Sequence, residues 1–433
     1  MSTATHQIGW KTAAAIVVSN MIGTGIFTTL GFQLSDITNT YSIFLLWIIG
    51  GILALFGAFC YAELGSYFKG NGGDYIYLKE TYHPVFGYLV SWISLIIGFS
   101  APVALAALAM SKYLSAFNYT FGNGFATAVI FIVAAALSFS LKASSRFHNF
   151  FTFIKIAFII VLVILGVGLS GSDAGNSLEF SSSWQDEIML PAFATSLVFV
   201  TYSYTGWNSA SYIAGEIKDV QKNLPKALIV GTVFVTLSYL LVNFIMLKHA
   251  PVSQLAGKED VMGEAARNML GVSFGKIVNI FIALQLIATI SGYLWVGSRL
   301  TQAFAKENHL WRPLAVNNKK GIPVRAIFAH AVIATVIILT GSFKEIFVYT
   351  AFILQLFASL SISTVFFLKK GQRKIFKSNI FYIFPAVFLL FSIYILYFTL
   401  IHNPKESIIG LGIVVFGLVL YFIDRKFFKK TAE

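Results

Sequence analysis

Two short stretches of this 433-residue chain interrupt apolar runs with groups that lipid does not tolerate unpaired. The first is Asn20-Met21-Ile22-Gly23-Thr24-Gly25-Ile26-Phe27 and the second is Tyr202-Ser203-Tyr204-Thr205-Gly206-Trp207-Asn208. A glycine in a helix interior costs roughly 1 kcal/mol against alanine. For the first stretch alone, close helix packing on small residues and a true break are equally good accounts. The second stretch tips the balance, because a polar break in lipid survives only against protein or a cavity. An opened helix offers two kinds of binding chemistry. Amides of Gly23, Thr24 and Gly25 would project from the start of a half-helix, where the dipole favours an anion. Carbonyls freed around Ile22 and Tyr202 would accept hydrogen bonds from a cation. A pocket that holds a carboxylate and an ammonium together has the shape of an α-amino acid backbone.

A third chemical group is Lys155, in Phe151-Thr152-Phe153-Ile154-Lys155-Ile156-Ala157. It lies roughly 8–9 Å from the expected helix start. One account is a lysine that snorkels to the interface. The other, favoured here, is a functional ammonium, because ionisable residues inside the membrane are functional by default.

The elements that must carry these groups follow from composition. The chain is 57% hydrophobic and 11% charged, with a mean hydropathy of +0.78. A soluble domain is about 45–50% apolar and about 25% charged, so lipid must cover the excess. A crossing helix needs roughly 20 mainly apolar residues. Spans are expected at 9–34, 41–66, 85–114, 124–141, 150–171, 188–214, 225–250, 274–304, 325–341, 345–368, 379–401 and 407–424. Twelve spans put both termini on one side. Of the 31 Lys and Arg, only Lys112, Lys248, Lys258, Arg267, Lys276, Lys344 and Lys405 then fall on the other side, with Lys155 inside a span. This asymmetry makes the termini cytoplasmic. It also accounts for the net charge of +13 without a nucleic-acid partner. Loops are short, so the chain reads as one membrane domain in a cell (inner) membrane, its lipid bilayer being one partner. Breaks in spans 1 and 6 lie five helices apart, the pattern of two inverted five-helix repeats with a site at their interface.

With these breaks and spans in place, the residues resemble the amino acid–polyamine–organocation (APC) superfamily, and within it the L-type amino acid transporters and their bacterial relatives. The resemblance rests on Ile22–Phe27 (IGTGIF), Gly57–Tyr77 (GAFCYAELGSYFKGNGGDYIY), Tyr204–Leu228 (YTGWNSASYIAGEIKDVQKNLPKAL) and Gly297–Leu310 (GSRLTQAFAKENHL). It implies an all-α LeuT-type fold of twelve helices. Residues 9–171 and 188–368 would be the inverted repeats, 379–424 the last two helices, with helices 1 and 6 broken. It implies alternating-access transport of amino acids, sodium-independent, by exchange or proton symport. The substrate carboxylate would sit on Gly23, Thr24 and Gly25 and the amino group on carbonyls near Met21, Ile22 and Tyr202. Tyr202 maps to the aromatic gate, Asn208 to a polar position of helix six, and Ser203 and Thr205 belong to the same site. Lys155 would replace a bound sodium, contacting the broken first helix and Ser291. A permanently charged Lys155 fits exchange; one that releases its proton fits symport. The chain departs from the family at Lys69-Gly70-Asn71-Gly72-Gly73 and in carrying Tyr rather than Phe at 202.

The animal L-type members that the chain resembles link to a heavy chain through a cysteine between helices three and four. Cys60 is the one cysteine here and none lies between Tyr113 and Asn123, so the resemblance implies no disulfide-linked heavy chain. No cofactor or metal is expected, because the seven histidines are scattered and none has metal-ligand spacing. Glu63 and Glu216 are read as structural acids, pairing with basic loops and with Lys218 or Arg299. Asn118-Tyr119-Thr120 matches a glycosylation sequon. An enzyme would need a cluster of His, Asp or Glu, and a channel repeated pore loops or charged rings. A polyamine or other amine is the nearest rival substrate, but spans 1, 3, 6 and 8 carry no mid-depth acid. Ser100-Ala101-Pro102-Val103-Ala104 is expected to form a small apolar pocket wall, which favours neutral amino acids with medium or larger side chains.

Overall fold

The computed structural model describes residues 8–68, 70–117, 121–139, 141–171, 175–368 and 373–427. The sequon at 118–120, Lys69 of the 69–73 stretch, and Lys369, Lys370, Lys429 and Lys430, which the twelve-span reading puts on the cytoplasmic side, lie outside the described residues. The described chain is helical, and its one β contact is a single bridge between Ile8 and Ile217.

In chain order the helices begin with α1 (Trp10–Met21), α2 (Gly25–Gln33), α3 (Thr40–Tyr67) and α4 (Asp74–Thr81). Next, α5 (Pro84–Ile93) runs through a π-helical turn, Ser94–Ser100, into α6 (Ala101–Leu114). There follow α7 (Asn123–Leu137), α8 (Leu141–Gly168), the short α9 (Trp184–Glu187) and α10 (Pro191–Ser203), which leads to a 3-10 segment, Ser209–Glu216. Then come α11 (Val220–His249), α12 (Val252–Leu255), α13 (Val261–Leu270) and α14 (Val272–Glu307). The chain ends in α15 (Val324–Thr340), α16 (Phe343–Ser363), α17 (Ile383–His402) and α18 (Pro404–Phe427). Among the described residues eight helical segments are long and apolar enough to cross a membrane, with Trp10–Gln33 counted as one, and Asn123–Leu137, Thr152–Gly168 and Val324–Thr340 are shorter apolar helices.

The helices fall into two packed groups. In one, α11 lies along α3 and α1, and α10 packs on α2 and α3. In the other, α14 lies along α6, and α15 packs on α6 and α7. Helix α8 touches both α11 and α14. Local chemistry fixes the helix ends. Ser342 and Glu345 form a capping box at α16, and the Asn39 side chain accepts from the Tyr41 amide at the start of α3. On α11, Lys248 and His249 donate to carbonyls of the last turn of α8, at 3.0 Å from Val167 and 2.8 Å from Gly166. Helices α17 and α18 lie at the edge with most of their apolar surface outward, as lipid-facing helices do.

Polar contacts tie the described ends to the segments that connect helices. Ile8 pairs with Glu216 and Lys218, Asn71 donates to Glu216, Lys79 pairs with Glu307, and the Leu310 amide donates to Asp424 near the end of α18. Glu63, fully buried, accepts from the amides of Lys374, Ile375 and Phe376. The expected pairing of Glu63 with basic loops is therefore met by amides rather than by basic side chains, since three aligned N–H groups supply the positive charge that a buried carboxylate needs.

Both expected breaks are present and pack on each other. Helix α1 stops at Met21, Ile22 is extended (φ −75°, ψ 97°), and α2 starts at Gly25. Helix α10 stops at Ser203, and Gly206 turns the chain at φ +101°. A Cβ added to Gly25 would lie 2.7 Å from Ser203 Cα, and one added to Gly206 would lie 2.7 Å from the Asn20 carbonyl carbon. At Gly23 it would meet nothing within 4 Å. Gly25→Ala and Gly206→Ala are therefore expected to lower the thermal unfolding midpoint in detergent, each by the equivalent of about 1 kcal/mol or more, while Gly23→Ala leaves it unchanged. Three equal midpoints would contradict the packing of one break on the other.

Candidate functional site

The second break borders a cavity of about 700 Å³, within the size range of small-molecule pockets. Its wall includes Asn20 of α1, the π-helical turn, Tyr202, Thr205, Asn208 and Tyr293 of α14. It extends to the face that carries Ile8, where Asn71, Glu216 and Arg299 frame a mouth. Of the residues expected to bind, Tyr202, Thr205 and Asn208 reach this wall. Met21, Ile22, Thr24, Gly25 and Ser203 are buried behind it and Gly23 is half-buried; none of these six lines the cavity. Of the expected apolar wall only Pro102 lines the cavity, and Ser100, Ala101, Val103 and Ala104 are buried. The π-helical turn adds a residue to the helix and so rotates the turns beyond it. Ser94, Gly98 and Phe99 face the space instead.

The carbonyls expected to receive an amino group already have donors. The Tyr239 hydroxyl of α11 lies 2.6 Å from the Met21 oxygen and 2.9 Å from that of Ser203. Lys155 Nζ donates to the Ile22 oxygen at 2.7 Å. The Tyr202 oxygen accepts from the Thr205 amide at 2.9 Å and the Thr205 hydroxyl at 2.7 Å. Each carbonyl oxygen has two lone pairs, so those of Met21, Ile22 and Ser203 each keep one. The first turn of α2 leaves amides without intrahelical partners, as every helix start does.

Lys155 is buried on α8 and touches the broken first helix, where the Ser19 oxygen at 3.3 Å is a second acceptor. On α14 its partner is Thr289 Oγ1 at 3.4 Å rather than Ser291. Residues two apart in a helix do not share a face, so Thr289 and Ser291 cannot both meet the ammonium. Thr289 gives its own proton to the Gln285 oxygen at 3.0 Å, so all three groups around Nζ are acceptors. A second cavity of about 10 Å³, lined by Asn20, Lys155, Thr289 and Tyr293 among others, adjoins the ammonium. That is about the room one water needs. Asn20 and Tyr293 line both cavities.

Tyr202, the expected gate, is 5% exposed and its ring meets Phe347 of α16 at 4.2 Å. Phe347 continues into a layer with Phe199, Phe343 and Phe32. Towards the mouth, Asp74 of α4 accepts from the hydroxyls of Tyr61 and Tyr212, and Asn208 donates to Tyr212 at 3.3 Å. Burial pushes the Asp74 carboxyl above its usual range, and the Tyr212 and Tyr61 hydroxyls pull against it. The Glu216 carboxylate accepts from the Asn71 side chain and attracts Arg299, one of its two expected partners, while its backbone carbonyl takes the Ile8 amide.

Sequence reasoning misses three of these groups. Tyr239 and Thr289 lie far along the chain from the breaks they serve, with no local motif. The usable signal is a buried hydroxyl in an apolar span, which must find an acceptor. Asp74 sits outside the spans, and only the fold brings it to the cavity.

Residues 8–423 match the family model described as amino acid permease. The chain is 28% identical to the b(0,+)-type amino acid transporter 1 of Homo sapiens over 437 residues, covering 96% of this chain and 87% of that protein. It is 29% identical to the Oryctolagus cuniculus protein of the same name over 366 residues, covering 82% and 74%. To the large neutral amino acids transporter small subunit 2 of Homo sapiens it is 28% identical over 432 residues, covering 96% and 80%. The chain belongs to the amino acid permease family, and is a multi-pass helical membrane transporter of amino acids rather than an enzyme.

Proposed function

We propose that this permease exchanges neutral L-amino acids across a cell membrane by alternating access and without sodium. The carrying observation is that the three hydrogen-bond partners of Lys155 Nζ among the described residues are all acceptors. That arrangement matches an ammonium with three N–H bonds, whereas a neutral amine would need a donor for its lone pair. A fixed positive charge against the broken first helix takes the place a coupling cation would hold, so nothing need be bound and released with each substrate. The adjoining 10 Å³ cavity, which shares Asn20 and Tyr293 with the large one, favours a second reading, proton symport, because a water there would give the ammonium a proton path.

In this reading the breaks part to admit the substrate, whose carboxylate then takes the amides of Gly23, Thr24 and Gly25, which do not line the cavity in the closed-packed arrangement. The substrate's amino group takes the remaining lone pairs near Met21 and Ile22 and lies close to Tyr202, beside Ser203, Thr205 and Asn208. Tyr202 with Phe347 closes one end, and the mouth at Asn71 and Glu216 is the route to the cytoplasm. A neutral side chain agrees with the wall at Phe99 and Pro102, and Asp74 already accepts one tyrosine hydroxyl on each oxygen. The fold behind this is the LeuT type with twelve crossings. Eight long segments, three short helices and the broken α10 with its 3-10 segment make up that number. Residues 9–171 and 188–368 are the inverted repeats, 379–424 the last two helices, and both termini are cytoplasmic. No disulfide-linked heavy chain is part of the reading, since Cys60 is the single cysteine and is buried in α3.

Reconstituted into proteoliposomes, the protein is expected to take up labelled neutral amino acids only when the lumen holds unlabelled ones, with no response to imposed sodium or pH gradients. Uptake into empty vesicles driven by an inward proton gradient would establish symport instead. Lys155→Ala should cut exchange by about tenfold or more, and wild-type kinetics in that variant would remove Lys155 from the mechanism. Tyr239→Phe should also slow exchange, by about five- to tenfold, because one hydroxyl serves both broken helices.

A further inference from the structure

His330 lies fully buried in α15, and the transport reading makes no use of it. An imidazole inside the bilayer needs both ring nitrogens satisfied. Nδ1 lies 2.8 Å from Ser100 Oγ and Nε2 lies 2.9 Å from Thr301 Oγ1 of α14. Ser100 Oγ lies 2.7 Å from the Leu95 oxygen as well. The Gly297 backbone also bonds the ring, so both nitrogens have partners in either tautomer. One ring thus ties together α15, α14 and the π-helical turn Ser94–Ser100.

That turn is a wall of the large cavity, to which it presents Ser94, Gly98 and Phe99. Single π-helical turns inside α-helices recur at functional sites. The Phe99 ring meets Tyr293 at 6.1 Å and His330 at 6.2 Å. Close approach is permitted by Gly297 of α14, where a Cβ would lie 2.7 Å from Phe99 Cβ and 3.0 Å from His330 Nε2. His330 therefore backs the wall both through its bond to Ser100 and through contact with the Phe99 ring.

We propose that His330 is a positioning residue for substrate selection: it holds the π-helical turn so that Phe99 sets the room for the substrate side chain. His330 touches no substrate itself. The inference rests on the amino acid transport reading and adds to it the element that sorts side chains by size. A histidine that only supported the fold would, when removed, slow every substrate by the same factor. One that holds a pocket wall changes the ratio between substrates.

The test compares kcat/KM for leucine and alanine uptake into proteoliposomes loaded with one fixed amino acid. His330→Phe keeps an aromatic ring but loses its hydrogen bonds, and Ser100→Ala breaks the Nδ1 bond alone. Both variants are expected to move the leucine-to-alanine ratio towards one by about fivefold or more, within the range that small changes in an apolar pocket produce. An equal loss for both substrates, or an unchanged ratio, would overturn the inference. Should His330→Phe fail to give a monodisperse protein, Ser100→Ala decides alone. A wild type that takes up no amino acid would instead overturn the transport reading on which the inference rests.

Discussion

A helix opened within lipid must have its freed backbone groups bonded by something, because no water is there to do it. In this protein Lys155 and Tyr239 meet that requirement for the broken first helix. Lys155 takes the Ile22 and Ser19 oxygens and Tyr239 takes that of Met21. Much of the architecture serves to deliver those two side chains. Helix α8, which carries the lysine, is held by α11 and α14 and tied at its end by Lys248 and His249. Helix α11, which carries the tyrosine, packs along both α1 and α3.

Tyr239 has a further consequence for motion. Its hydroxyl has one proton and faces two acceptors, one from each broken helix, at 2.6 and 2.9 Å. A displacement of α10 relative to α1 can shift that proton between acceptors without leaving the hydroxyl unpaired. The glycine contacts act differently. With Gly25 against Ser203 and Gly206 against Asn20, there is little slack for the breaks to move closer. The pair can separate or slide, but it cannot compress, so the motion open to the site is a widening at one end or the other.

How much of this is legible in the sequence differs by scale. Long apolar segments such as Thr40–Tyr67 and Val220–His249 are readable because lipid exposure imposes a composition over about twenty residues or more. The breaks at Gly23–Gly25 and Gly206 are readable because glycine inside an apolar helix is locally costly. The depth of Lys155 is readable for a similar reason, since a lone charge stands out in an apolar run. Choices that depend on helix rotation are not. Thr289 against Ser291 turns on the facing of α14, and the exchange of the expected wall at 100–104 for Ser94, Gly98 and Phe99 turns on a single π-helical turn that leaves no compositional trace. Tyr239, His330 and Asp74 belong with these, because their partners lie in other helices.

Charge gives the remaining constraint on what the cavity can hold. All three hydrogen-bond partners of the buried Lys155 ammonium are uncharged. Two unit charges about 8 Å apart at an effective dielectric of about 20 interact by about 2 kcal/mol. A substrate with a cationic side chain near the breaks would meet that repulsion. A zwitterion avoids most of the cost. In the proposed pose its carboxylate would face the positive start of α2 and its amino group the carbonyls, with a net charge of zero. Under the proposed exchange, swapping one zwitterion for another would leave the field of a charged Lys155 undisturbed in either direction.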